Sequence, residues 1–179
     1  MRRKPIAAFA VVLITAGAIL AQAPPQMPKP GAEQKRLHYF VGKWKFDYDM
    51  KESPFGPGGK VTGTDRNEMW PGGYFLVMHS SGKGPMGPLK GLSVMGYKAQ
   101  EKVYTYYGIN NLGEAETSKG TVEGDTWTWT SESEMGGKKI KTRFILKEVS
   151  PKEYTMKFDM SSDGGEWKNM MEGKATKVK

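Results

Sequence analysis

A strict two-residue alternation that begins at Trp44 constrains the fold of this chain more than any other feature. A short amphipathic segment, residues 33–41, comes before it, and the tripeptide Gly42-Lys43-Trp44 opens it. Apolar side chains then occupy every second position, with Lys or Asp between them, at Trp44, Phe46, Tyr48 and Met50. A period of two is typical of a β-strand that buries one face. The pattern predicts a half-buried strand directly after a helical turn.

Strand-like segments then continue to the C-terminus, separated by turn formers such as Pro71-Gly72-Gly73 and Asp163-Gly164-Gly165. Short strands joined by hairpins form a meander, and closing the meander into a barrel removes its exposed edges. We predict an all-β fold, an antiparallel up-and-down β-barrel of about ten strands with a short N-terminal helical turn; a two-sheet sandwich is the alternative. The predicted strands are Trp44–Met50, Val61–Trp70, Tyr74–Ser81, Leu92–Tyr97, Val103–Asn110, Glu114–Val122, Trp127–Ser133, Ile140–Val149, Tyr154–Ser161 and Trp167–Val178.

The first 23 residues predict the compartment. Basic residues at positions 2–4 precede an apolar run of 15 residues at 6–20, and Ala21-Gln22-Ala23 supplies a small-x-small cleavage pattern. The run is shorter than the roughly 20 residues of a membrane-spanning helix, although an uncleaved anchor is the alternative. We predict a signal peptide at 1–23, a proline-rich tether at 24–32 and a barrel domain at 33–179, in a periplasmic or secreted protein.

The amino-acid composition excludes several classes of site and partner. The chain has no Cys, which excludes a disulfide framework, a thiol nucleophile and a lipid anchor on a processed N-terminal Cys. It has 27 basic and 19 acidic residues; without the three basic residues of the signal segment, 24 and 19 remain. This excess is mild and scattered, so we predict no nucleic-acid partner, whereas contact with an anionic envelope surface is open. The oligomeric state is open as well.

The apolar faces of the strands supply the candidate ligand contacts. Methionine side chains are flexible and polarizable, and aromatic rings can stack on a planar molecule. These residues fit a small hydrophobic ligand held inside the barrel, but they could equally fill the interior, and the aromatic residues could simply form stabilising cross-strand pairs. The candidate ligand-binding residues are Tyr48, Met50, Met69, Met78, Tyr106, Trp129, Phe144, Met156 and Phe158.

Catalytic groups are hard to find in this sequence. Of the two histidines, His38 lies in the N-terminal turn, and His79 lies on a strand, on the face opposite Met78. An inward His79 could ligate haem iron, but no cofactor, metal site or catalytic residue is predicted, and enzymatic activity is left open. The carboxylate pairs Asp47/Asp49 and Glu114/Glu116 are interpreted as solvated faces.

Two glycine-rich segments, 54–59 and 82–91, are predicted as loops at a barrel end. Neither opens a helix, so neither predicts a phosphate-binding loop. Met86 and Leu89 in the second segment are possible lid residues, although an irregular connection explains the segment equally simply.

Three blocks in order support a family resemblance. They are Leu37-x-x-Phe40-Val41-Gly42-x-Trp44, Trp70-x-Gly72-Gly73-Tyr74-Phe75-Leu76 and Leu92-x-x-Met95-Gly96-Tyr97. The series resembles the bacterial domain-of-unknown-function 1579 family, a calycin-like group, and its first block is similar to the lipocalin signature, with Gly42 and Trp44 at the signature positions.

The resemblance implies a calycin-like barrel and no particular activity. In lipocalins a late Arg stacks on the signature Trp; the late Arg here is Arg143, and the closing strand offers Lys174 and Lys177 instead. We expect an exported protein that binds a small apolar or aromatic molecule inside its barrel. The alternatives are a ligand-free envelope interaction protein with a filled barrel and a haem-binding barrel.

Overall fold

The computed structural model describes residues 29–53 and 56–179, so the predicted signal peptide and the first part of the tether lie outside the described residues. A five-residue helix, α1, and a 3-10 helix precede ten strands. No helix in the described ranges is both long enough and apolar enough to cross a membrane. The elements are α1 Ala32–Arg36, the 3-10 helix Leu37–Phe40, β1 Gly42–Met50, β2 Gly59–Met69, β3 Leu76–Gly84, β4 Gly87–Lys98, β5 Val103–Asn110, β6 Ala115–Glu123, β7 Thr126–Met135, β8 Lys138–Ser150, β9 Glu153–Ser162 and β10 Lys168–Val178.

The ten strands form one closed antiparallel barrel in which each strand pairs with its neighbours in sequence. The barrel closes where β1 pairs with β10, with Trp44 opposite Lys177 and Tyr48 opposite Gly173. Closure leaves no unpaired strand edge, which is the physical advantage over an open meander. The predicted barrel and its N-terminal helical turn are confirmed, and a two-sheet sandwich is not formed.

The glycine-rich segment 82–91 is a hairpin, so its prediction as a loop was wrong. Strands β3 and β4 remain paired to their ends, with Gly84 opposite Gly87 and the two-residue turn Pro85-Met86 between them. Gly87 has a φ of +102°, which glycine adopts without strain. Strand propensity is low in this segment, but pairing within a closed sheet overrides it.

Large rings on the inner wall lie against glycines of neighbouring strands. A Cβ on Gly120 would lie 2.5 Å from Cε3 of Trp129, and one on Gly63 would lie 2.5 Å from Cζ of Phe46. The rings therefore occupy the space that side chains at these glycines would take. Covering inward glycines with aromatic rings lets a small barrel curve and still exclude water from its wall.

The N-terminal helices close one end of the barrel. Leu37 and Phe40 of the 3-10 helix are fully buried among the ends of the strands. Tyr39 Oη lies 2.8 Å from the carbonyl oxygens of both Ser150 and Glu153, which ties the helix to the β8–β9 turn. One end is therefore sealed, and any entry into the interior is from the other end.

Candidate functional site

The interior has two halves, and the half near the helices is filled with aromatic side chains. Phe40 contacts Trp127 and Tyr154 edge to face, with ring centroids 5.1 and 5.7 Å apart. Trp44 and Trp127 are completely buried, and Trp129 stacks on Trp127 at 6.3 Å. This packing fills the barrel interior in the closed half, so the expectation of a filled interior describes that half.

Trp44 connects the 3-10 helix at the closed end to the barrel wall. Its Nε1 donates a hydrogen bond to the carbonyl oxygen of Phe40 at 2.7 Å, and Asn67 Nδ2 donates to the same oxygen at 3.0 Å. Lys177 Nζ lies 5.1 Å from the centre of the Trp44 ring, within the range of a cation–π interaction. Lys177 thus occupies the place of the lipocalin arginine, whereas Arg143 packs over Trp167 and pairs with Asp159 at 2.8 Å.

Gly42 has a structural reason for its position next to this Trp. Its φ of +114° lies in the left-handed region, where a side chain would be strained. A Cβ there would also lie 3.1 Å from Cε of Lys177, so glycine lets the lysine cross to the Trp44 ring. The Gly-x-Trp signature therefore serves the closed end and not a binding site.

The other half of the barrel encloses a chamber of about 180 Å³. It opens into a wider mouth of about 680 Å³, and the two share Ser80, Leu89, Ser93, Tyr106 and Met171 in their linings, so they form one connected space. A side pocket of about 70 Å³ lies between Met95, Tyr106, Trp129 and Phe144. The inward Gly91 leaves part of this room, because a Cβ there would have no neighbour closer than 3.4 Å.

A carboxyl group lies inside the chamber. Asp65 on β2 accepts a hydrogen bond from Ser80 Oγ on β3 at 2.6 Å, and these two residues face each other in the strand pairing. Loss of solvation raises the pKa of Asp65 to about 6, and the Ser80 hydrogen bond opposes the shift. Asp65 is therefore largely ionised above this pH, even though it is mostly removed from water.

Tyrosine hydroxyls surround this carboxyl group. Tyr48 and Tyr154 share a hydrogen bond, and burial raises the pKa of both phenols, with the nearby charge of Asp65 adding to the shift. Burial also raises the pKa of Tyr106, which is hydrogen-bonded to Ser93. All three phenols stay neutral at physiological pH and can present hydroxyl groups to a molecule in the chamber.

Two buried polar atoms next to this space have no partner in the described part of the chain. Asn67 lines the chamber, and its Oδ1 has no hydrogen-bond donor. Trp129 lines the side pocket, and its Nε1 has no acceptor. Unsatisfied groups of this kind are rare in folded proteins, and each is a place where a bound molecule could supply the missing hydrogen bond.

Comparison with known proteins places this barrel in a family. The family model described as "Protein of unknown function (DUF1579)" matches residues 29–177. The chain belongs to the DUF1579 family. No curated protein matches it.

Among solved structures, the DUF1579 barrel is similar to the crystal structure of Rv2717c from M. tuberculosis, with 11% identity and a TM-score of 0.56 over 83% of this chain and 99% of that one. It is also similar to a de novo designed fluorescence-activating β-barrel, with 15% identity and a TM-score of 0.45 over 79% of this chain and 95% of that one. At these identities the likeness concerns the fold alone.

The candidate residues named from the sequence divide into three groups in the DUF1579 barrel. Tyr48, Met78, Tyr106 and Phe144 line the chamber, with Trp129 in the side pocket and Phe158 at the mouth. Met50 lines a smaller pocket of about 40 Å³ beneath the β3–β4 turn. Met156 is buried in the core, and Met69 is partly buried at the edge of the core.

The polar residues of the chamber were missed by sequence reasoning. Asp65 and Asn67 share a strand face with Val61 and Met69, and this apolar pair was the signal that could have placed them inside. Leu89 was assigned to a loop, but it is a strand residue that lines the chamber and the mouth. Met86 lies exposed at the tip of the hairpin.

The two carboxylate pairs considered from the sequence lie in different parts of the barrel. Asp47 and Asp49 lie on the outer face and both pair with Lys60, at 2.8 and 3.1 Å, as a solvated face should. Glu114 and Glu116 line the mouth, where both are solvent-exposed, so this pair is also solvated, although it borders the opening of the barrel and not its outer face. Period-two alternation placed each pair together but could not show which face was inward.

His79 lies on the outer surface of the DUF1579 barrel. It is exposed and pairs with Arg66 and Leu92 on the neighbouring strands, opposite the inward Met78. A haem ligand inside the barrel would have to face the other way, so the hypothesis of haem held by His79 has no support in this geometry. In the described ranges, no three His, Asp or Glu side chains group as metal ligands.

Proposed function

We propose that this protein binds a small, mainly apolar molecule in the open half of its barrel. The chamber carries this proposal, because it is an enclosed apolar space with a few convergent polar groups, the usual composition of a small-molecule site. Rings and thioethers form its walls, and Asp65, Asn67, Ser80 and Tyr48 supply polar atoms that can fix an orientation. Sealing of the other end by the helices makes the mouth the entry route.

The compartment is part of the same proposal. The basic start, short apolar run and Ala21-Gln22-Ala23 of the sequence support export to the periplasm or the medium after cleavage behind Ala23. The mature chain would then begin at Pro24. Cell fractionation with N-terminal sequencing of the mature protein tests this, and a cytoplasmic protein that retains residues 1–23 would contradict it.

The rival is a ligand-free protein with a filled barrel that meets an envelope partner. The aromatic packing around Trp44 and Trp127 supports that idea for the closed half. The open half favours a ligand, because a purely structural core would have a larger side chain where Gly91 leaves space. The two functions differ in whether blocking the interior of the open half abolishes binding of a small molecule.

A pair of variants on strand β4 distinguishes a ligand-binding barrel from a ligand-free one. Gly91 lines the mouth, and a Cβ there makes contacts of 3.4 Å or longer, so Gly91→Phe should place a ring in the interior without disturbing the wall. Lys90 is its neighbour on the outer face and borders neither the chamber nor the mouth, so Lys90→Phe is the matched control. We expect Gly91→Phe to weaken binding of naphthalenemethanol, measured by calorimetry, by about tenfold or more, with Lys90→Phe unchanged.

Native mass spectrometry of protein from its own cell envelope gives the second readout. A bound mass present in the parent and in Lys90→Phe but absent from Gly91→Phe would identify the natural ligand. Equal binding by both variants, or a bare protein mass together with no affinity for naphthalenemethanol, would exclude the chamber as a binding site and favour the filled-barrel protein.

A further inference from the structure

The charged side chains that line the chamber, the side pocket and the mouth are all acidic in the described part of the chain. No Lys, Arg or His borders this space, although the whole chain carries a formal net charge of +8. Basic residues lie outside instead; Lys141, for example, pairs with Glu132 at the rim at 3.0 Å. The interior thus has the sign opposite to that of the molecule. The acidic residues are Asp65, Glu114, Glu116 and Glu132.

The deepest polar atoms of the chamber are hydrogen-bond acceptors that need donors. Asp65 receives one hydrogen bond from Ser80, and a carboxylate has the capacity to accept more. Asn67 is 4% exposed, and its Nδ2 is held by the Phe40 carbonyl, which directs Oδ1 away as an acceptor without a donor. A ligand group with several N–H donors would satisfy both residues.

The aromatic walls favour the same charge. Tyr48, Phe144 and Tyr106 present rings to the chamber, and Phe46 stacks against Tyr48 at 5.2 Å. The face of an aromatic ring attracts a cation, most strongly where water is excluded. Rings and a carboxylate together form the usual surroundings of a bound ammonium group.

We propose that the ligand is a cationic amphiphile, an organic amine whose ammonium group enters the chamber beside Asp65 and Asn67 and whose apolar body extends to the mouth. This inference rests on the proposed function. The body would lie against Leu89, Met160 and Met171, which line the mouth. Glu114 and Glu116 would favour entry of a cation over an anion.

Three probes with one apolar body test the head group. Naphthylmethylamine, naphthalenemethanol and naphthoic acid share one ring system and carry a positive, a neutral and a negative head group at about pH 8, and their affinities can be measured by calorimetry. We expect the amine to bind at least about tenfold more tightly than the alcohol, the range of a charged hydrogen bond, and the acid to bind most weakly. Equal affinity of amine and alcohol, or tightest binding of the acid, would overturn the inference and leave the binding site itself intact.

Matched variants assign the preference to the chamber. Asp65→Asn should remove about tenfold in affinity for the amine and weaken the alcohol much less, because the Asn oxygen still accepts a hydrogen bond, and Asp47→Asn on the outer face should change neither. If Asp65→Asn binds the amine as well as the parent does, Asp65 is not the anchor and the inference is wrong. If none of the probes binds the parent protein, the proposed function fails and the inference fails with it.

A pH series on the unchanged protein keeps the test independent of folding of the variant. Asp65 takes up a proton near pH 6, whereas the amine stays charged throughout the series. The other titratable groups facing Asp65 are Tyr48, Tyr106 and Tyr154, and all three stay neutral in this range. Glu116 in the side pocket, whose pKa burial also raises, changes in the same direction as Asp65. The preference for amine over alcohol should therefore fall between about pH 8 and pH 5, and a constant preference would count against Asp65.

Discussion

Asp65 should make the protein less stable as the pH rises, and its replacement by Asn should reverse that effect. The pKa of this carboxyl is raised from 3.8 to about 6 in the folded protein by loss of solvation. A raised acid pKa means that the folded state holds a proton that the unfolded state has released. The stability associated with this proton is complete below about pH 4 and is lost as the pH rises through about 6.

The size of this effect on the free energy of unfolding follows from the difference between the pKa of Asp65 in the folded and unfolded states. About two pKa units at about 1.4 kcal/mol each give an upper limit near 3 kcal/mol for the ionised carboxylate. Asn has the same shape without the charge, and its side chain can keep the hydrogen bond with Ser80 Oγ. We therefore expect Asp65→Asn to raise the free energy of unfolding by about 1–3 kcal/mol at pH 8 and to change it little at pH 4.

Urea unfolding followed by tryptophan fluorescence at a series of pH values measures this gap. Other carboxyl groups titrate over part of the same range, including Glu116, whose pKa is raised by loss of solvation. They are common to both proteins, so the difference isolates Asp65. Asp47→Asn, on an exposed face, should change stability by less than about 1 kcal/mol at any pH. A variant less stable than the parent at pH 8, or a gap independent of pH, would refute the argument.

Two further changes test the packing of the barrel. Gly120→Ala should lower the free energy of unfolding, measured with urea, by about 1–3 kcal/mol, because its Cβ would collide with the Trp129 ring. Gly91→Ala, whose Cβ makes ordinary contacts, should change it by no more than about 0.5 kcal/mol. Equal effects of the two variants would show that the Trp129 ring moves freely. Lys177→Met should lower the free energy of unfolding by about 1 kcal/mol, because it removes the cation over the Trp44 ring, and Lys177→Arg should retain most of this stability. If Lys177→Met is as stable as the parent protein, the cation–π contact contributes nothing.

Period-two alternation predicted the barrel well because strand closure needs only the order and faces of the strands. All ten predicted strands form, and Trp44, Phe46 and Tyr48 share the inner wall of β1 as expected. The segment 82–91 failed because its glycines and prolines have low intrinsic strand propensity, and the pairing that overrides this is a tertiary effect.

The polar half of the site was missed for a related reason. On β2 the inward face carries Gly63, Asp65 and Asn67 between Val61 and Met69, so the two apolar residues at its ends are a weaker signal of burial than the unbroken alternation on β1. Glu116 is similar, since its inward neighbours on β6 are the small residues Ser118 and Gly120. Lys177 over Trp44 depends on β10 meeting β1, a contact between residues far apart in the chain.

The two ends of the barrel make opposite use of the same fold. At the closed end, Trp44, Trp127 and Phe40 fill the interior, and the polar atoms of Trp44 and Phe40 are satisfied. At the open end, a carboxylate that disfavours folding at neutral pH remains between Ser80 and the tyrosines, although an uncharged residue would be more stable there. A barrel selected for stability alone would have no reason to keep that charge. A variant that gains stability and loses amine binding through the same atom would place Asp65 among the destabilising groups that proteins retain for function.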